Sequence, residues 1–194
     1  MPKIVVMTDS SADINTQQAE QMNLSVMRFP LMIDGQEYIE ETEIKTPEFI
    51  SLMEQGAVVK TSQAHLGKLI QQWKDLLKEY DEILYIPLSS GLSGSYQSAL
   101  TASTAFDGRI TVVDARFACY PLAWLCQWAQ EQIQAGHSCV EIKNKIEEEA
   151  DLWAALIPEK LEYLKRGGRI SAAAAALGNL LKIVPILKVE HGGI

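Results

Sequence analysis

The chain alternates short apolar runs with amphipathic stretches. Ile4–Met7 is the first such run, and it ends in the polar turn Thr8-Asp9-Ser10-Ser11-Ala12-Asp13. A longer apolar stretch, Leu24–Ile33, is followed by Asp34-Gly35 and then Gln36–Ile39. An Asp-Gly pair between two strand-like runs predicts a hairpin. Thr46-Pro47-Glu48 predicts a helix start, with Thr46 as cap, Pro47 at the first helical position and Gly56 as the stop. Val58 and Val59 lead into Lys60-Thr61-Ser62-Gln63, and a helix follows. Its apolar residues Leu66, Leu69, Ile70, Trp73, Leu76 and Leu77 keep the three-and-four spacing of one buried face. Glu82–Leu88 and Ile110–Val113 are further strands, with a helix starting inside the serine-glycine loop between them. Helices are expected over about 118–134 and 140–150. Strands alternating with helices predict an α/β fold, a parallel sheet with helices packed on both faces in three layers.

Past residue 150 the texture changes. Leu152–Ile157 reads as a strand, and the helix beginning at Leu161 is stopped by Gly167 and Gly168. Ser171 is placed to cap an Ala-rich helix over 172–181, and Ile183–Val189 reads as a strand with Pro185 at an edge or a start. One helix pair and two strands do not complete a layer. The expected organisation is an N-terminal α/β domain over residues 1–150 and an incomplete second α/β domain over 151–194.

Composition narrows the function class. With 194 residues, 47% of them hydrophobic and 22% charged, the chain has ordinary globular usage and can bury a sizeable core. Its net charge of −8 argues against nucleic acid as a main partner, because phosphate backbones need clustered Lys and Arg. Cys119, Cys126 and Cys139 are odd in number and lack CxxC spacing, so reduced thiols are expected rather than a metal centre or a disulfide framework. No run approaches the roughly 18 apolar residues of a membrane span, and the N-terminal run is too short for a signal peptide. A cytoplasmic protein without membrane insertion is expected. Trp73, Trp124, Trp128 and Trp153 stand at helical or strand positions and are expected in the core.

Candidate chemistry gathers in three polar clusters, Thr8–Ser11, Thr61–Gln63 and Ser89–Ser95, each at the carboxyl end of a predicted strand. Ligands of an open parallel sheet sit in the crevice outside those strand ends. Any one such loop is most simply a turn or cap, but three rich in hydroxyls point to a site. The loop Ser89-Ser90-Gly91-Leu92-Ser93-Gly94-Ser95 joins an apolar strand to a helix. It supplies hydroxyls, close backbone approach and free N–H groups, the makings of an anion cup. Its Gly91-Leu92-Ser93-Gly94-Ser95 segment resembles a nucleophile elbow with Ser95 in place of the final glycine, and His65 is the one plausible base in the first domain. Residues 89–98 carry no lysine, so a Walker loop is excluded, and the Rossmann fingerprint is absent too. A lysine-free cup of hydroxyls suits a singly charged carboxylate, taking hydrogen bonds from Thr61 and Ser93, better than a triphosphate. The other class left open is an enzyme using the cup for phosphoryl or acyl transfer on a small carbonyl compound.

Thr8–Asp13, Lys60-Thr61-Ser62-Gln63, Ser89–Tyr96, Leu161–Ser171 and Val184-Pro185-Ile186-Leu187 together resemble the successive motifs of the DegV family, in the family's order and across nearly the whole chain. The resemblance implies a two-domain α/β protein that binds one long-chain fatty acid in an apolar tunnel, with its carboxylate on Thr61 and Ser93. Ser62, Ser90, Gly94, Ser95 and Ser10 are secondary candidates for the ligand loops. It further implies a carrier rather than an enzyme, with no cofactor or metal, that presents the carboxylate to a separate ATP-binding fatty-acid kinase subunit. The sequence departs from the family at Val184, where a Lys is usual, and at Ala115-Arg116-Phe117, where a Ser tends to follow the aspartate. Family chains also continue past position 194, with a histidine near the head group, so the sequence is expected to be C-terminally shortened. Lys165, Arg166 and Arg169 form the one basic cluster. It reads either as a solvated helix end or, through Arg166 and Arg169, as a docking patch for an acidic partner such as the kinase subunit.

Overall fold

A computed structural model of the chain describes residues 2–149, 153–171, 185–189 and 192–193. Four strands, β1 (Ile4–Asp9), β2 (Ser25–Met27), β6 (Glu82–Tyr85) and β7 (Ile110–Val112), pair in parallel in the order β2-β1-β6-β7. The two-residue period of a strand sorts their side chains to two faces. Val5, Met7, Ile83, Tyr85 and Val112 point toward Leu69 and Trp73 of α3 (Leu66–Leu76) and Ala99 of α4 (Ser95–Ser103). Val6, Leu84, Ile86 and Val113 point the other way. They meet Leu122, Leu125 and Cys126 of α5 (Cys119–Gln134) and Ile142 of α6 (Cys139–Asn144), and Ala19 of α1 (Thr16–Gln21) joins the same cluster. The expected three-layer α/β arrangement is the one observed. Trp73 is fully buried, edge-on to Tyr85 and Phe106.

The apolar stretch Leu24–Ile33 is not one strand. It breaks at Arg28-Phe29, so that β2 stays in the parallel sheet while β3 (Pro30–Ile33) enters a second, antiparallel sheet with β4 (Gln36–Ile39) and β5 (Val59–Thr61), in the order β4-β3-β5. Side-chain hydrogen bonds hold the break: Arg28 donates to the Ile14 carbonyl at 2.6 Å, and the Phe29 N–H donates to Ser10 Oγ at 3.0 Å. The Asp34-Gly35 hairpin forms as expected, with both residues left-handed (φ 49° and 89°), as a tight two-residue turn between twisted strands requires. Helix α2 (Thr46–Glu54) covers one face of this sheet through Phe49 and Leu52 against Leu31, Ile33 and Ile44. Lys45 rather than Thr46 occupies its cap position, without a side-chain cap bond, and Pro47 sits within its first turn.

A third sheet pairs β8 (Ala154–Leu156) antiparallel with β9 (Leu187–Val189). Ala154, Leu156 and Val189 pack on the core face that carries α5. Helix α7 (Leu161–Arg166) ends at Gly167-Gly168, where Gly168 takes φ +73°. The helix expected over 172–181, Val184 of the last motif and His191 lie outside the described residues. Trp128 is half-buried at the edge of the core, whereas Trp124 and Trp153 are 42% and 65% exposed, contrary to expectation. Trp124 stands on the outer face of α5, and Trp153 lies just before β8 with the Lys188 ammonium 5.9 Å from its ring. All three cysteines are free thiols, Cys126 and Cys139 buried and Cys119 exposed. Among the described residues no helix is long and apolar enough to cross a membrane.

Candidate functional site

Three loops meet beyond the ends of β1, β5 and β6. The first is tied by Asp9, a fully buried carboxyl that accepts from the Ser11 N–H at 3.0 Å, the Ser11 hydroxyl, and the Leu88 N–H at 2.8 Å. Burial pushes the Asp9 carboxyl up to about 6, even though these hydrogen bonds pull it down. Thr8 donates to the Ile86 carbonyl at 2.8 Å. The first cluster therefore locks the loop after β1 to the loop after β6.

In the second loop the serines have different tasks. Ser89 is buried; its hydroxyl donates to the Gly192 carbonyl at 2.7 Å and accepts the Gly91 N–H at 3.2 Å. Ser90 gives its N–H (3.1 Å) and its hydroxyl to the carboxylate of Asp114, which follows β7. The Ser93 N–H bonds to the Ser89 carbonyl, and Ser93 Oγ lies 3.0 Å from Ser95 Oγ while accepting the Ser95 N–H at 3.2 Å. Close approach explains the two glycines. A Cβ on Gly91 would stand 2.2 Å from the Gly192 carbonyl oxygen, and one on Gly94 would stand 2.3 Å from Gln63 Nε2. Gln63 is thus wedged against the start of α4, where its Oε1 also accepts from the Ser98 hydroxyl at 3.2 Å. That wedge brings Thr61-Ser62-Gln63 to the serine loop.

Only two of the three clusters follow strands of the parallel sheet. The third arrives on β5 of the antiparallel sheet, a placement the strand-by-strand reading did not foresee because β5 is too short to announce its sheet.

Between these loops and the face of the antiparallel sheet lies a cavity of about 1170 Å³. Thr61, Ser62, Gln63, Ser93 and Gly94 line its hydroxyl-rich part. Phe29, Leu31, Phe49, Met53, Val58 and Val59 line its apolar part. Ser10, Ser11 and Glu40 form another polar wall, and Arg166, Gly167, Gly168 and Arg169 close one side. Thr61 is exposed and Ser93 half-buried, and among the described residues no group holds the Thr61 hydroxyl. Ser62, Gly94 and Ser10 line the cavity. Ser90 and Ser95 do not, since their hydroxyls turn to Asp114 and Ser93. Arg166 and Arg169, expected either as a solvated helix end or as a docking patch for an acidic partner, are exposed and line one side of the cavity. Arg169 gives two N–H groups to the Leu92 carbonyl at 3.2 and 3.1 Å, so the turn after α7 is fastened to the serine loop, and Arg166 pairs with Glu162. Glu40 is not among the residues that the sequence singles out, and Gln63 enters there only as the end of the Thr61–Gln63 cluster. The even spacing of Gln36, Tyr38 and Glu40, the last just past the end of β4, was the available signal for Glu40.

Among the described residues the elbow reading finds no base beside Ser93. His65 Nε2 lies 3.0 Å from Glu37 Oε1 on the hairpin, and Ser93 bonds to Ser95. The arrangement can instead hold an anion beside two guanidinium groups, on hydroxyls one of which is free, with apolar walls for an attached hydrocarbon.

A family model described as "Uncharacterised protein, DegV family" matches residues 3–194. A DegV domain-containing protein of Staphylococcus aureus is 35% identical over 193 residues, 99% of this chain and 69% of its own length. Among solved structures, a DegV family protein from Thermus thermophilus described for its fatty-acid binding superposes with a TM-score of 0.86 at 30% identity, covering 98% of this chain and 69% of that one. DegV of Bacillus subtilis, described as a fatty acid binding protein, gives a TM-score of 0.84 at 32% identity over 100% of this chain and 70% of that one.

Proposed function

Given that the chain belongs to the DegV family, we propose that it binds one long-chain fatty acid, with the carboxylate on the hydroxyls of Thr61 and Ser93. The observation that carries this reading is a single cavity joining those hydroxyls to the apolar side chains of β3, β5 and α2. Burial of hydrocarbon at roughly 0.8 kcal/mol per CH₂ makes a long acyl chain the main source of affinity. A carboxylate out of water needs its hydrogen bonds replaced, and the free Thr61 hydroxyl together with Ser93 supplies donors. Arg166 and Arg169 add positive charge on the same cavity wall. The similar proteins of T. thermophilus and B. subtilis, named for fatty-acid binding, support the ligand class.

In this proposal the chain is a carrier and not an enzyme. The bound carboxylate is presented to a separate ATP-binding kinase subunit, which the family resemblance suggests. The lysine-free serine loop suits this division of labour, since holding a triphosphate falls to another protein. Native mass spectrometry and lipid extraction test the ligand. The purified chain is expected to carry fatty acid, and Thr61→Ala with Ser93→Ala to lose it. Equal lipid content in the double variant would refute the carboxylate assignment.

A further inference from the structure

One feature of the cavity does not suit a plain hydrocarbon: the carboxyl group of Glu40 in its wall. The ladder between β3 and β4 continues past the strand ends, with the Glu40 N–H bonded to the Phe29 carbonyl at 3.1 Å. Leu31 pairs with Tyr38 on one side and Thr61 on the other. Strand alternation then puts Phe29, Leu31, Glu40, Val59 and Thr61 on one face, all five of which line the cavity. Glu40 and Thr61 sit on opposite edge strands, offset by two residues. At ~4.8 Å per strand and ~3.4 Å per residue their Cα atoms lie about 12 Å apart. That span reaches the middle of a long acyl chain when its head is at Thr61.

Glu40 is half-buried and its carboxyl titrates above the usual range, because burial outweighs the Ser10 hydroxyl and Arg28. Among the described residues it makes no salt bridge. The nearby Arg28 guanidinium donates to the Ile14 carbonyl and acts on Glu40 only through space, while Glu41 and Asp13 oppose it as like charges. A carboxyl group has about four acceptor positions, and the single proton of the Ser10 hydroxyl, which also has the Met27 carbonyl 3.5 Å away, fills at most one. Methylene groups lying against Glu40 would strip water from it and return nothing. A hydroxyl on the chain would donate to it.

We propose that Glu40, with Ser10, forms a second polar subsite partway along the cavity and selects an acyl chain bearing a mid-chain hydroxyl over an unsubstituted chain of equal length. This rests on the fatty-acid reading and names the class of acid. One hydrogen bond made rather than lost corresponds to roughly five- to tenfold in affinity.

The test is calorimetric titration of the delipidated chain with stearic acid and with stearic acids hydroxylated at single mid-chain carbons. The wild type is expected to bind at least one hydroxylated isomer about five- to tenfold tighter than stearic acid. Glu40→Leu is expected to invert that ratio by tightening stearic acid and weakening the hydroxy acid, whereas the isosteric Glu40→Gln keeps part of the preference. Stearic acid binding as tightly as every hydroxylated isomer, or an unchanged ratio in both variants, overturns the subsite. Thr61→Ala is the control: it should weaken all the acids together and leave the ratio intact. If no acid binds the wild type, the fatty-acid reading fails and the subsite with it, an outcome distinct from binding without preference.

Discussion

Replacing Gly91 by alanine separates a contact that cannot yield from one that can. The new Cβ would lie 2.2 Å from the Gly192 carbonyl oxygen and 2.8 Å from its carbon, both backbone atoms. Non-bonded heavy atoms rest at about 3.5 Å or more, so the segment at Gly192 must retreat by about 1 Å. The bond from Ser89 Oγ to that carbonyl, 2.7 Å and buried, then opens. Losing it and leaving its partners dry costs about 2 kcal/mol, a melting temperature lower by roughly 4–8 °C for a chain of this size. Gly94→Ala meets Gln63 Nε2 at 2.3 Å, but that is the end of a side chain that can swing away. Its cost should stay below about 1 kcal/mol. It frees Gln63 from Ser98 and loosens the Thr61 loop, so fatty acid content should fall with little change in melting. Gly193→Ala, whose Cβ meets nothing within 4 Å, is the control. Calorimetry and lipid extraction on the three variants measure both effects. A Gly91→Ala protein that melts with Gly193→Ala would refute the close contact of Gly91 with Gly192, and a Gly94→Ala protein with full lipid would refute the wedge.

Asp9→Asn should change the pH dependence of stability. The folded carboxyl titrates near 6 against an ordinary 3.8, so its contribution is present below the lower value and lost as pH rises through 6. Between those limits the wild type should lose up to about 3 kcal/mol from this group. Urea midpoints from pH 4 to 7 should fall less steeply for Asp9→Asn, and parallel profiles would contradict the assignment. Trp73 Nε1 is buried without a hydrogen-bond partner among the described residues. Trp73→Phe removes that stranded donor as well as packed area and should cost only about 1 kcal/mol, against roughly 3–5 kcal/mol for Trp73→Ala. Chemical denaturation distinguishes the two, and equal losses would show that the indole N–H carries no penalty.

Much of the fold was legible because local pattern and tertiary role coincide. Alternating strand and helix runs predicted the parallel sheet, and the Asp34-Gly35 turn, whose two residues must both be left-handed, predicted the hairpin. The serine-glycine loop was readable as an anion cup because an apolar strand leads straight into it and a helix starts within it. The failures have physical causes. Leu24–Ile33 reads as one apolar stretch interrupted only by Ser25, Arg28 and Pro30, and a single charged residue does not by itself announce a switch between sheets. Arg28 and Ser10 make that switch through bonds to residues far off in sequence. Trp124 and Trp153 were placed in the core on residue type, but a helix has an outer face and the start of a strand can stand clear of its sheet.

The sequence by itself determined which chemistry is available: hydroxyls in three loops, no lysine for a triphosphate, and enough apolar residues to wall a cavity. The family resemblance singled out Thr61 and Ser93, but residue types alone do not say what each remaining hydroxyl does. That Ser89 and Ser90 serve the loop while Thr61 and Ser93 line the cavity follows from the partners that packing gives each hydroxyl. That Arg166, Arg169 and Glu40 line the same cavity follows from the turn after α7 being fastened to Leu92, and from strand alternation across the antiparallel sheet. Residue types and their order along the chain are local properties, whereas the side to which a group turns depends on contacts tens of residues away.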